Sequence, residues 1–91
     1  MERVNVAVNG TVQGVGYRYG MRQAAMQHGV SGWVRNRADG SVHAELEGEP
    51  AALEAVLAWA RKGPSGARVT GIEVTEVPTT GETGFDVRST A

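Results

Sequence analysis

Cysteine is absent from the 91-residue sequence. Its absence excludes disulfides, thiolate metal sites and a cysteine nucleophile, and is compatible with a reducing compartment. Aromatic residues are scarce: two Trp, two Tyr and one Phe, or 5% of the chain. An excess of charge is also missing, since nine basic and ten acidic residues leave a net charge of -1 and a pI near 6.1. Nucleic-acid and membrane-surface binders draw much of their affinity from positive excess, so neither class fits. No run approaches the roughly 20 apolar residues of a membrane helix, and the N-terminus lacks the apolar stretch of a signal peptide. A cytoplasmic monomer is expected.

What is present is ordinary for one soluble domain spanning residues 1–91, with 41% hydrophobic and 21% charged residues. Glycine is the outlier. Its 13 copies are about 14% of the chain, twice the usual share, and they punctuate periodic segments without forming a repeat. Charge is divided along the chain. Residues 1–40 hold five Arg against Glu2 and Asp39, net +3, while residues 41–91 are net -4. A small anion would meet the first half, although a chance split in a solvated protein reads equally well.

Val4, Val6 and Val8 alternate with polar or small residues, the period of a half-buried strand. After the loop Gly10–Gly16 a helix is expected from about Arg18 to His28. Tyr17, Met21, Ala24, Ala25 and His28 fall near one face of it, and Gly29 is the stop. Val30 to Arg37 reads as a second strand, Ala38-Asp39-Gly40-Ser41 as a turn, and the segment from Val42 to Glu47 as a third strand. Val42, Ala44 and Leu46 would take one of its faces, and His43, Glu45 and Glu47 the other. Leu53, Val56, Leu57 and Ala60 lie at helical spacing, between Pro50 and Gly63-Pro64. Arg68–Val77 and Phe85–Arg88 complete the chain as strands. The order is a ferredoxin-like βαββαβ with a terminal strand: an α+β sandwich, mainly antiparallel, with both helices on one sheet face.

That topology makes strands one and two parallel, with their C-terminal ends at one edge of the sheet and one strand between them. Two strand spacings are roughly 10 Å, within reach of a phosphate-sized ligand. At that edge stand Gln13-Gly14-Val15-Gly16-Tyr17-Arg18 and Trp33-Val34-Arg35-Asn36. Glycines between a strand and a helix let backbone N–H groups converge on an anion, and the helix N-terminus adds its positive end. Arg18 offers a planar fork for two phosphate oxygens. A plain strand-to-helix turn with a surface Arg would look the same. Walker and dinucleotide loops do not fit: no Gly-Lys-Ser/Thr occurs, and Tyr19 stands where the Rossmann spacing requires glycine. The amide of Asn36 could hold a water, or could simply bond its own turn.

Gly10-Thr11-Val12-Gln13-Gly14-Val15-Gly16-Tyr17-Arg18 resembles the signature of the acylphosphatase family, and Gly32-Trp33-Val34-Arg35-Asn36 with Asp39-Gly40 resembles its second motif. Gly63 to Val69 and Gly84-Phe85 also match family positions, so the resemblance spans about Val4 to Arg88. It implies hydrolysis of an acyl phosphate to a carboxylate and inorganic phosphate. By the same resemblance, Arg18 binds the phosphoryl group, Asn36 positions water, and Gln13, Gly14, Val15, Gly16 and Tyr17 form the phosphate cradle. No metal or other cofactor is implied. Thr11 replaces a frequent basic residue, and Tyr17 a frequent Phe.

The remaining candidates read as structural. His28 suits a helix cap, His43 a solvated strand face, and Trp33 and Trp59 packing positions. Glu45, Glu47 and Glu49 lack obvious partners and read as a solvated edge. Two rivals stand against that reading. One is a phosphate-binding or regulatory module without turnover, to which the same cradle would belong. The other, an RNA-binding domain of this topology, would require stacking aromatics on its central strands, where this chain offers Val, Ala, Leu, His and Glu.

Overall fold

The computed structural model describes residues 1–90. It contains β1 (Glu2–Thr11), α1 (Tyr17–Gln27), β2 (Ser31–Asn36), β3 (Val42–Gly48), α2 (Pro50–Lys62), β4 (Arg68–Val77) and β5 (Phe85–Val87). One sheet runs in the order β4-β1-β3-β2-β5, antiparallel throughout except for the parallel pair β2–β5. The alternation in β1 and β3 is realised as two faces. Val6, Val8, Val42, Ala44 and Leu46 are wholly buried against the stripes of the two helices. Those stripes are Tyr17, Met21, Ala24 and Ala25 in α1, and Leu53, Val56, Leu57 and Ala60 in α2. Both helices therefore share one face of the sheet.

His28 departs from the expected stripe. It is the exposed C-cap of α1, and its backbone N–H donates to the carbonyls of Ala24 and Ala25, 3.2 Å from each.

The second sheet face is not the solvated surface that the polar strand residues suggested. Glu47 and His43 are buried, and Glu45 is half-buried; of the three glutamates only Glu49 is exposed. The cause is topological. β4 and β5 lie at opposite edges, so the segment joining them crosses beneath the sheet. Arg3, 1% exposed, donates through Nε to Glu45 (2.6 Å) and through Nη1 to Glu47 (3.2 Å) and Thr80 (3.0 Å). Its Nη2 reaches Glu82 at 3.3 Å. The Glu47 carboxylate in turn accepts the backbone N–H groups of Thr80 (2.8 Å) and Gly81 (3.1 Å). A buried charge is tolerable only when paired in this way. The carboxylates are the clamp that holds the crossing segment against the sheet.

Candidate active site

Because β1 and β2 both pair antiparallel with β3, they run in the same direction and deliver their C-terminal ends to one edge. After β1 the backbone alternates in hand. Gly14 has φ 73° and Gly16 φ 79°, while Val15 between them stays at negative φ. Successive N–H groups in such an alternation point to one side and form a concavity for an anion. Gly16 is the N-cap of α1 and has no side chain with which to satisfy the orphan N–H groups of the first turn. That turn, Tyr17-Arg18-Tyr19-Gly20, also contains no acid to neutralise the positive end of the helix dipole.

These groups surround a cleft of about 210 Å³ lined by Val12, Gly14, Gly16, Tyr17, Arg18, Tyr19 and Asn36. The fold thus brings together Arg18 and Asn36, which are 18 residues apart in sequence. Arg18 is half-buried, and its Nη1 donates to the Arg88 carbonyl at 2.8 Å. Arg88 is itself fixed by its N–H to the Val34 carbonyl, 2.8 Å, which extends the parallel pairing of β5 with β2. Asn36 is 9% exposed, and its Oδ1 is buried without a protein hydrogen-bond partner among the described residues. A buried acceptor left unmatched costs stability, so it marks a place where a ligand group or water would be welcome.

The other cradle residues differ in what their side chains do. Gln13 and Val15 do not line the cleft. Gln13 Nε2 donates to the carbonyls of Arg37 (2.7 Å) and Ser41 (2.9 Å), which ties the loop to the β2–β3 turn, and Val15 packs against the core. The Tyr17 hydroxyl donates to the Ala60 carbonyl at 2.6 Å, and its ring lies 5.2 Å from that of Trp59. Burial pushes the Tyr17 phenol well above its ordinary range, so it stays protonated. It anchors the first turn of α1 to the end of α2.

His43 lies on the opposite sheet face from the core, in contact with Trp33 edge-on at 4.9 Å. Arg35 can only donate, so its Nη2 at 3.4 Å makes His43 Nδ1 the acceptor and leaves Nε2–H to Asn5 Oδ1 at 3.0 Å. Burial, helped by Arg37 and Arg35, holds His43 below its usual value of 6.5. Trp33 is a packing residue whose ring is covered by the guanidiniums of Arg35 and Arg88, 5.0 and 4.6 Å from its centre. Sequence reasoning missed Arg88 and Tyr19. No local signal links Arg88 to Arg18, because the link exists only once β5 lies beside β2.

The family model for acylphosphatase matches residues 4–87. The chain belongs to the acylphosphatase family. It is 50% identical over 82 residues to the acylphosphatase of Methylococcus capsulatus, covering 90% of this chain and 89% of that one. It is 47% identical over 85 residues to that of Thermococcus kodakarensis, covering 93% of each. Among solved structures, acylphosphatase from Bacillus subtilis superposes with a TM-score of 0.91 at 35% identity, covering 97% of this chain and 99% of that one. Full-length HypF in its phosphate- and nucleotide-bound form matches with a TM-score of 0.90 at 28% identity, over 98% of this chain but 12% of HypF. Acylphosphatases are hydrolases of the carboxyl–phosphate bond, and that is the activity of this chain.

Proposed function

We propose that the cleft binds the phosphoryl group of an acyl phosphate and directs water onto phosphorus. The backbone N–H groups from Gln13 to Tyr17 and the fork of Arg18 take the three phosphoryl oxygens. Asn36 holds the attacking water by accepting one of its hydrogens at Oδ1. Water oxygen bonds to phosphorus while the bond from phosphorus to the acyl oxygen breaks. The carboxylate leaves with the electron pair, and the protons of water remain with inorganic phosphate or pass to solvent. A carboxylate needs no acid to help it leave, and a loose phosphoryl transition state needs little deprotonation of the nucleophile. Positioning and charge stabilisation suffice, which is work suited to this residue set.

The observation that carries the reading is the unmatched Asn36 Oδ1 in the same cleft as the glycine loop and Arg18. Among the described residues no group of three or more His, Asp or Glu side chains could hold a metal ion. The balanced charge supports a small-molecule substrate over nucleic acid, and the reading includes a monomer working in the cytoplasm. Among the described residues no helix is long and apolar enough to cross a membrane. The test is phosphate release from acetyl phosphate, with and without chelator, together with inhibition by inorganic phosphate. Turnover in chelator with competitive inhibition is expected. Phosphate binding without turnover would make the cleft a binding module, and loss of turnover in chelator, restored by Mg²⁺, would bring a metal into the mechanism.

A further inference from the structure

Tyr19 is 67% exposed although it stands in the first turn of α1, next to Arg18. A solitary exposed aromatic is common on protein surfaces. The position of this one is not accidental to the cleft. Tyr19 lines the phosphoryl cleft and also an open groove of about 540 Å³ that runs along the outer side of α1 past Arg22, Gln23 and Met26. It is the wall common to both. Residues 19, 22, 23 and 26 recur at helical spacing, on the side of α1 away from its buried stripe. Met26, 59% exposed, supplies a second apolar station about 10 Å further along the helix axis. A phosphoryl group seated on the first-turn N–H groups must send its acyl substituent out of the cleft. Among the lining residues that carry side chains, Val12, Tyr17 and Asn36 are buried, Arg18 is half-buried and Tyr19 is exposed, so the side chain an outgoing acyl group meets at the mouth is Tyr19.

We propose that the Tyr19 ring and the groove beyond it receive the acyl part of the substrate, which makes Tyr19 a specificity-determining residue for the reaction. The proposal rests on reading the cleft as the phosphoryl site. Contact between the acyl body and the Tyr19 ring is made alike in ground and transition states, because bond breaking at phosphorus leaves that body unchanged. It therefore acts on KM and not on kcat.

The experiment measures kcat and KM for benzoyl phosphate and acetyl phosphate with the full chain, as wild type, Tyr19→Ala and Tyr19→Phe. Comparing the same two substrates across variants cancels their intrinsic difference in leaving ability. In Tyr19→Ala the kcat/KM ratio of benzoyl to acetyl phosphate falls about 5-fold through a higher KM for benzoyl phosphate, as expected for loss of one aromatic contact. Tyr19→Phe keeps the ratio, because the ring is retained. The inhibition constant of inorganic phosphate, which has no acyl part, moves by less than about 2-fold. A merely structural disturbance of Arg18 would instead weaken phosphate and both substrates together. An unchanged ratio in Tyr19→Ala overturns the proposal, as does an equal loss in Tyr19→Phe. Hydrolysis of neither substrate by the wild type would overturn the reading of the cleft itself, a result distinct from failure of the Tyr19 contact alone.

Discussion

At the scale of single residues, Asn36 and Arg18 share a cleft, and the mechanism proposed above gives them different parts in the reaction. In the proposed reaction Arg18 would meet charge that is present before, during and after bond breaking, so its loss should weaken phosphate binding as well as turnover. Arg18→Lys retains the charge without the fork or the fixed bond to the Arg88 carbonyl, and should lower kcat/KM by about 10²-fold or more. In the same proposal Asn36 would meet only an uncharged water. Asn36→Ala should reduce kcat by about 10²-fold while the inhibition constant of phosphate stays within a few-fold of wild type. The same change removes a buried acceptor that the fold leaves unmatched, so the urea midpoint should not fall. Steady-state kinetics and urea titration on one preparation check both halves. A structural asparagine would give the reverse pattern, with lower stability and unaltered kcat.

Elements are held at the site by contacts between sequence-distant partners. Tyr17 fastens the start of α1 to the carbonyl of Ala60 in α2, which fixes where the first-turn N–H groups point. Tyr17→Phe should cost about 1 kcal/mol by leaving that buried carbonyl without its donor, measurable by chemical denaturation. The other fastening is the clamp beneath the sheet, where Arg3 of β1 meets Glu45 and Glu47 of β3 and Thr80 and Glu82 of the crossing segment. Arg3→Met keeps the stem but leaves the carboxylates facing one another. It should cost about 3 kcal/mol, the lower range for a broken buried pair, because Glu82 is open to water. Hydrogen exchange should then rise first in residues 78–84, since their backbone is pinned by the same carboxylates.

For the whole molecule, the second sheet face sets the response to acid. Backbone N–H donation from Thr80, with Arg3 and Gly81 beside it, holds the Glu47 carboxyl below its usual 4.5. Burial alone would raise Glu45, but hydrogen bonds from Arg3 and Asn5 outweigh it and the net shift is downward. In both cases the unfolded chain takes up protons first as pH falls below 4.5, so stability present above that pH is lost on the way down. His43 adds to the same slope from higher pH. Its pKa is lowered in the fold, so as pH falls below 6.5 the unfolded state takes up the proton first. Urea midpoints should decline gently below pH 6.5 and steeply below 4.5, and His43→Gln should flatten the first limb only. At the sheet edges, β4 is ten residues long and exposes Val74, yet it carries Arg68, Glu73 and Glu76. Such charges discourage edge-to-edge pairing, and light scattering should give the mass of one chain.

The elements and the two candidate-site motifs were legible in the chain itself, because both are encoded locally. Alternation marks β1, the Leu53–Ala60 stripe marks α2, and glycines at 14 and 16 before an arginine mark a backbone that must reverse hand at a helix start. The parallel course of β1 and β2 was also legible, since a right-handed crossover and one intervening strand leave little choice, and it correctly brought Arg18 near Asn36. The second face of the sheet, by contrast, came from the folded arrangement alone. His43, Glu45 and Glu47 look solvent-facing because alternation reports which face a side chain takes, not what covers that face. What covers it is the link between the two edge strands, whose partners lie more than 30 residues away. Arg88 beside Arg18 has the same origin, a contact across 70 residues made when β5 joined β2. Local patterns specify hydrogen-bond periodicity and the sidedness of each element. Closure of the chain across the sheet specifies burial and the fine placement of the arginine at the cleft.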